Sequence, residues 1–196
     1  MMSKTILCIR HGESTFNAAA GSDRDPLHYD APLSELGRAQ VERTRALLRG
    51  EVLELVITTP LTRALQTTAG LFADHPTSPA ILVEALHRER VENSCDVGRS
   101  PSLLSTAFPA FVFDHLPEVW WHNHDAPDER GVCVEPIDLV HSRAAQFRQL
   151  LSRRPERRIA VVGHGTFFRA LTGRVLANCE VVALDLDAAI DDSGRK

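Results

Sequence analysis

Nothing in this sequence is long and apolar. Its 196 residues hold no stretch approaching the ~18 apolar residues that a membrane-spanning helix needs, so no membrane partner is expected. The first apolar run covers residues 5–9 and ends at Arg10, too short for a secretory signal. Cysteine is scarce and scattered. Cys8, Cys95, Cys133 and Cys179 show no C-x-x-C spacing, which argues against a zinc site or a redox pair and predicts reduced thiols in a cytoplasmic protein. Charge of one sign is missing too. Lys and Arg number 22 against 26 Asp and Glu, a net charge of −4, so no global basic field points to nucleic acid. Any affinity for anions must come from local clusters of Arg and His. Oligomeric state is not legible at this level.

What is present is an ordinary globular composition, 43% hydrophobic and 24% charged, on a length that suits one domain spanning residues 1–196. Residues 4–9 read as a short buried strand. Ser34 reads as an N-cap, with Leu36, Val41, Leu47 and Leu48 at helical spacing after it and Gly50 as the stop. Residues 53–58 read as a second strand, Pro60 opens a helix through about Phe72, and residues 80–86 read as a third strand. Residues 137–151 form an amphipathic helix whose apolar face carries Ile137, Val140, Ala144, Phe147 and Leu151. Residues 159–162 are a fourth strand, broken by Gly163-His164-Gly165 before a helix over about 166–176. Residues 180–186 are the last strand, and the polar tail from Asp187 is expected to fray. Strands alternating with helices predict an α/β three-layer sandwich around a largely parallel sheet. The exception is residues 91–136. This stretch has five prolines and two adjacent tryptophans, little periodicity, and a length that suggests an irregular cap insertion over the site.

Open α/β sheets bind ligands beyond the carboxyl ends of their strands. His11 follows the first strand there and His164 follows the fourth, each with glycine after it to let backbone approach a ligand. Arg10 precedes His11, and Arg63 lies near the start of the helix after the second strand. Two His and two Arg thus converge on one rim, a pattern suited to phosphate. Arg offers planar, multidentate donors, and a helix N-terminus adds N–H groups and positive potential.

Four blocks in order carry a resemblance: RHGESTFN at 10–17, PLSELGRAQ at 32–40, TTPLTRALQTT at 58–68 and VVGHGTFFRALTG at 161–173. Together they resemble the histidine phosphatase superfamily, also called the phosphoglycerate mutase-like family. The resemblance implies phosphomonoester hydrolysis without cofactor or metal. His11 would attack phosphorus, while Arg10, Asn17, Arg63 and His164 would hold the phosphoryl oxygens. The family's proton donor is an acid just after the third strand. Glu89 in LHRERVENSCDVG fits best, with Glu84, Glu92 and Asp96 as rivals. Such a carboxyl must titrate near working pH, and the imidazole nucleophile must be neutral on the attacking nitrogen. Family mutases tend to carry E-R-H-Y-G after the third strand. RERVENSCDVG stands here instead, which favours hydrolysis over a phosphomutase. A non-catalytic phospho-ligand binding module is the alternative of another class, and the joint presence of His11, Arg10, Arg63 and His164 speaks against it.

Other features admit plainer readings. His122 and His124, with Asp125 and His115, could form a metal cluster or a polar loop; no Cys supports the former. Trp120 and Trp121 could wall the substrate or anchor the insert. Arg88, Arg90, Arg99 and the tryptophans are expected to shape the pocket of a small phosphorylated substrate whose identity the sequence does not reveal. The arginine-rich run at 153–158 follows a helix C-terminus, where cations are favoured in any case.

Overall fold

A computed structural model describes residues 4–19 and 25–186; the expectation of a frayed tail from Asp187 lies outside them. The chain runs β1 (Thr5–Arg10), α1 (Thr15–Ala19), α2 (Glu35–Leu48), β2 (Leu55–Thr58), α3 (Thr62–Phe72), β3 (Ala80–Val83), α4 (Pro101–Ala107), α5 (Ile137–Arg153), β4 (Arg158–Gly163), α6 (Gly165–Thr172) and β5 (Val181–Leu184). The five strands lie in the order β3-β2-β4-β1-β5. All neighbours are parallel except β5, which runs antiparallel to β1.

Side chains alternate across a strand, and that period sorts the core into two layers. Ile6, Cys8, Ile57, Ile159 and Val161 pack against Val140, Ala144, Phe147 and Leu151 of α5 and Phe167 and Leu171 of α6. Ile9, Val56, Ala160 and Val162 face the other way, onto Val41 and Leu48 of α2 and Ala64, Leu71 and Phe72 of α3. Helices therefore cover both faces of the sheet. Each wholly buried Leu, Ile or Phe contributes roughly 1.5–3 kcal/mol of transfer free energy.

Local chemistry sets the element ends. Ser34 caps α2, its hydroxyl accepting from the Gly37 N–H at 2.9 Å. The buried stripe of α2 is Gly37, Val41, Thr44 and Leu48, whereas Leu36 and Leu47 point to solvent. On α5 Ile137 is likewise exposed, and Arg143 takes a buried position instead. α3 starts two residues after Pro60, behind the N-cap Leu61, which has no capping side chain. Its free N–H groups are met from elsewhere: Asp30 accepts from the Thr62 N–H at 2.8 Å. The third strand stops at Val83, and residues Ala85–His87 form a 3-10 turn capped by the Glu84 carboxylate. α6 ends at Thr172, where Gly173 adopts φ 73°.

Residues 91–136 are mostly without regular structure but contain a 3-10 turn, Ser94–Asp96, as well as α4. They own a small core. Trp120, Leu104, Phe111 and Phe113 pack on Leu61, the N-cap of α3, Leu65 of α3 and Val83 of β3. Trp120 is buried and its indole N–H donates to the Arg99 carbonyl at 2.9 Å. It therefore fastens the insert to the body, and Trp121 packs against the same cluster.

Candidate active site

The carboxyl ends of β1 and β4 are adjacent, with Arg10 opposite Gly163 in the ladder. The residues that follow, His11 and His164, consequently sit side by side with ring centroids 5.1 Å apart. The Gly12 carbonyl, which can only accept, lies 2.6 Å from His11 Nδ1. That nitrogen must carry the proton, so Nε2 presents its lone pair. Arg63 Nε donates to this Nε2 at 3.2 Å. Burial, reinforced by the Arg63 charge, pushes the His11 pKa well below its usual value, so the ring is neutral at neutral pH. Gly12 serves packing as well as approach: a Cβ there would lie 2.7 Å from the Gly37 carbonyl oxygen of α2.

Arg63 is buried and held on its other side by the insert. Its Nη1 donates to the Cys95 carbonyl at 2.6 Å and its Nη2 to Asp96 Oδ1 at 2.8 Å. Burial is the largest influence and works against its charge, but the acidic groups around it, Asp96 foremost, together outweigh burial and the pKa rises. Arg10 donates from Nη1 to the Leu176 carbonyl at 2.7 Å, while its buried Nε has no partner among the described residues. His164 is wholly buried beside His11. Its Nε2 lies 2.7 Å from the Thr59 hydroxyl, its Nδ1 has no partner, and burial lowers its pKa strongly.

Glu89 closes the opposite wall. Its carboxyl accepts from the backbone N–H groups of Arg90 at 2.9 Å and of Thr166 and Phe167 at 3.1 Å each, the latter two at the start of α6. Helix N-termini favour the charged form, yet burial is the largest influence and the Glu89 pKa is raised. The cleft among these groups is lined by Arg10, His11, Ser14, Asn17, Arg63, Glu89 and Asp96, and by Phe16, Arg90, Asn93 and the exposed Glu92. A neutral imidazole whose Nε2 lone pair faces Arg63, two guanidinium groups and a half-buried carboxyl can together receive a phosphoryl group, neutralise its oxygens and move one proton.

The family model of the histidine phosphatase superfamily (branch 1) matches residues 6–186. The chain belongs to this superfamily. A phosphoglycerate mutase-like protein of Arabidopsis thaliana is 28% identical over 90% of this chain and 76% of its own length. A glucosyl-3-phosphoglycerate phosphatase of Mycolicibacterium vanbaalenii is 24% identical over 90% of this chain and 76% of its own. Among solved structures, a mycobacterial glucosyl-3-phosphoglycerate phosphatase superposes with a TM-score of 0.58 at 19% identity, covering 93% of this chain and 91% of that one. A phosphoserine phosphatase of Entamoeba histolytica gives a TM-score of 0.56 at 17% identity, over 93% and 90%. At these identities the superpositions show the shared α/β fold, and the family model shows the membership.

The histidine phosphatase fold thus gathers Arg10, His11, Asn17, Arg63 and Glu89 around one cleft, with His164 behind His11. Asn17 reaches it from α1, its Oδ1 accepting from the Ser14 N–H at 3.2 Å. The rival acids differ in place: Glu84 caps the 3-10 turn, Glu92 pairs with Arg90 at the mouth at 2.9 Å, and Asp96 pairs with Arg63. Of the cations expected to shape the pocket, only Arg90 lines it. Arg88 is turned onto Glu135 at 3.1 Å, and Arg99 holds Asp30 at 2.7 Å. His122 pairs with Asp125 at 2.7 Å and His115 meets the Val83 carbonyl at 2.8 Å. Among the described residues no trio of His, Cys, Asp or Glu is arranged to hold a metal ion. Thr59 and the cleft residues Ser14, Phe16, Asn93 and Thr166 escaped the sequence reading. A polar Thr59 just after the buried run LVIT (55–58) was the one available signal, since a buried hydroxyl there needs a partner.

Proposed function

We propose that this chain is a phosphomonoester hydrolase that works through a phosphohistidine on His11. The observation that carries the reading is the His11 ring: its Nδ1 proton is fixed by the Gly12 carbonyl and its Nε2 faces Arg63 in the cleft. In the first step Nε2 attacks phosphorus as the bond to the leaving oxygen breaks, and Glu89 gives that oxygen its proton. In the second, the ionised Glu89 takes a proton from water, whose oxygen attacks phosphorus. The P–N bond breaks, inorganic phosphate leaves, and the lone pair returns to Nε2. Arg10 and Arg63 balance charge on the equatorial oxygens, where most of the catalysis of phosphoryl transfer lies. With that charge supplied by guanidinium groups, the reading requires no metal ion and expects activity to survive EDTA. His164 and Asn17 complete the cradle.

The direct test is covalency. A brief reaction with an aryl phosphate labelled on phosphorus, quenched in base, should leave label on His11, stable to base and released by acid as a phosphoramidate. His11→Ala protein should carry none. Label that persists on that variant would overturn the reading.

A further inference from the structure

Of the three carboxyls that line the cleft, Glu92 is exposed and paired with Arg90; the other two, Glu89 and Asp96, have opposite surroundings. Asp96 is buried and surrounded by donors. Its Oδ1 accepts from Arg63 Nη2 at 2.8 Å, and its Oδ2 from the Asn93 and Glu92 N–H groups at 3.1 and 3.3 Å. A carboxylate, which only accepts, satisfies all three donors at once. Glu89 has backbone N–H partners only; among the described residues no Lys or Arg side chain pairs with it. Arg63 acts on Glu89 only through its charge, and its outer nitrogens are already occupied by Asp96 and the Cys95 carbonyl.

We infer that Asp96 is a positioning residue of this active site: its carboxylate keeps Arg63 turned onto His11 and away from Glu89, and its negative charge favours the acid form of Glu89. The inference rests on Glu89 being the proton donor. Asp96 comes from the insert, so the insert contributes to the chemistry and not only to the choice of substrate. Separating the titrations of two neighbouring carboxyls is a general way to assign acid and base. The groups around Glu89 agree with the direction. Arg10 of β1 and Arg63 of α3 favour its ionised form, as do the N–H groups of Thr166 and Phe167 at the start of α6. Burial and the Asp96 charge oppose them, in that order of size, and prevail. His11 and His164, both buried, have pKa values well below the usual one and add no charge at neutral pH. In its own segment Arg90 is paired with Glu92 at 2.9 Å.

The test is the pH–rate profile of phosphoenzyme formation from an alkyl phosphate, whose leaving oxygen needs a proton. The alkaline limb reports loss of the acid's proton. Removing the charge in Asp96→Asn should lower the pH of that limb by about one unit, the effect of losing a like charge on a neighbouring carboxyl. Asp96→Glu, which keeps the charge, should leave the limb in place. A limb unmoved in Asp96→Asn, or moved equally in both variants, overturns the inference. Should Asp96→Asn not fold, carbon-13 NMR of wild-type protein decides. The Glu89 carboxyl signal, assigned by its loss in Glu89→Gln, should titrate above the ordinary glutamate range, and a value inside that range overturns the inference. The underlying reading is judged separately: Glu89→Gln should slow the alkyl phosphate far more than an activated aryl phosphate. If it slows both equally, the acid role fails and that of Asp96 with it. If Glu89→Gln is selective and Asp96→Asn leaves the limb unmoved, only the role of Asp96 falls.

Discussion

The rim at the ends of β1 and β4 and the insert at 91–136 are both rich in polar groups, but they spend them differently. At the rim, Arg10 Nε and His164 Nδ1 are buried without a protein partner, and Arg63 Nε is held only by the lone pair of a neutral imidazole. In and beside the insert, cations are consumed by carboxylates: Arg88 by Glu135, Arg90 by Glu92, Arg99 by Asp30, Arg130 by Asp25 and Asp128. Burying a polar atom without a hydrogen bond is costly. A fold keeps such an atom where something other than the protein satisfies it. Counting arginines therefore misleads, and so does counting unpartnered nitrogens alone, since Arg88 Nε is buried without an acceptor among the described residues as well; what separates Arg10 and Arg63 from Arg88 is that they line the cleft.

The sharpest way to break this comparison is to exchange the two kinds of arginine. Arg63→Ala should reduce phosphoenzyme formation on the order of 10³- to 10⁵-fold, the range for an arginine that stabilises a transferring phosphoryl group. Arg63→Lys should recover little, because one ammonium cannot reach His11, the Cys95 carbonyl and Asp96 together. Rapid-quench measurement of the first turnover reads both. A loss below tenfold for Arg63→Ala would place this residue with the clasps.

A clasp should show itself in stability instead. Glu135 is buried at the end of the insert and holds Arg143 through both oxygens, at 2.9 and 2.8 Å. Arg143 in turn donates to the Leu86 and Arg88 carbonyls at 2.8 and 3.0 Å. Glu135→Ala strands the buried Arg143 guanidinium and the partly buried one of Arg88 and should cost about 3–5 kcal/mol of unfolding free energy, read from urea titration. The double change Glu135→Leu with Arg143→Met should recover part of that, because the more deeply buried charge is gone and only Arg88 is left without Glu135. A Glu135→Ala protein as stable as wild type would mean that water already satisfies these cations.

The same division explains what could be read in advance. The strands, the Ser34 cap and the positions of Arg10, His11, Arg63 and His164 depend on short spacings and on the rule that strand ends bear ligands, so they were accessible in sequence. The helix faces were blurred where a single residue decided them: a buried Arg143 replaced Ile137 only because Glu135 met it. Asp30 capping α3, Thr59 on His164 and Asp96 on Arg63 join residues 32, 105 and 33 positions apart. No local pattern announces such pairs. For the same reason Arg88 and Arg99 looked like pocket residues until their acceptors were seen.

Arg99 supplies the mildest test. Its Nε donates to Asp30 at 2.7 Å, it also donates to the Thr62 hydroxyl, and its backbone carbonyl receives the Trp120 indole N–H. The side chain is 37% exposed and does not line the cleft, so it meets no substrate. Burial raises the pKa of Asp30, with the Thr62 and Arg99 hydrogen bonds acting against it. Deleting the guanidinium leaves that carboxyl with Thr62 alone and a shell of water on the exposed side. Arg99→Ala should therefore cost about 1 kcal/mol of stability, the usual net worth of a partly solvated hydrogen bond. It should lower activity at most a few-fold and by the same factor on every substrate, because the loss acts through the start of α3 and hence on Arg63. Kinetics on a panel of phosphorylated metabolites would read this as a common offset. A reordering of substrates would show that Arg99 reaches them, and would move it from the clasp to the cradle.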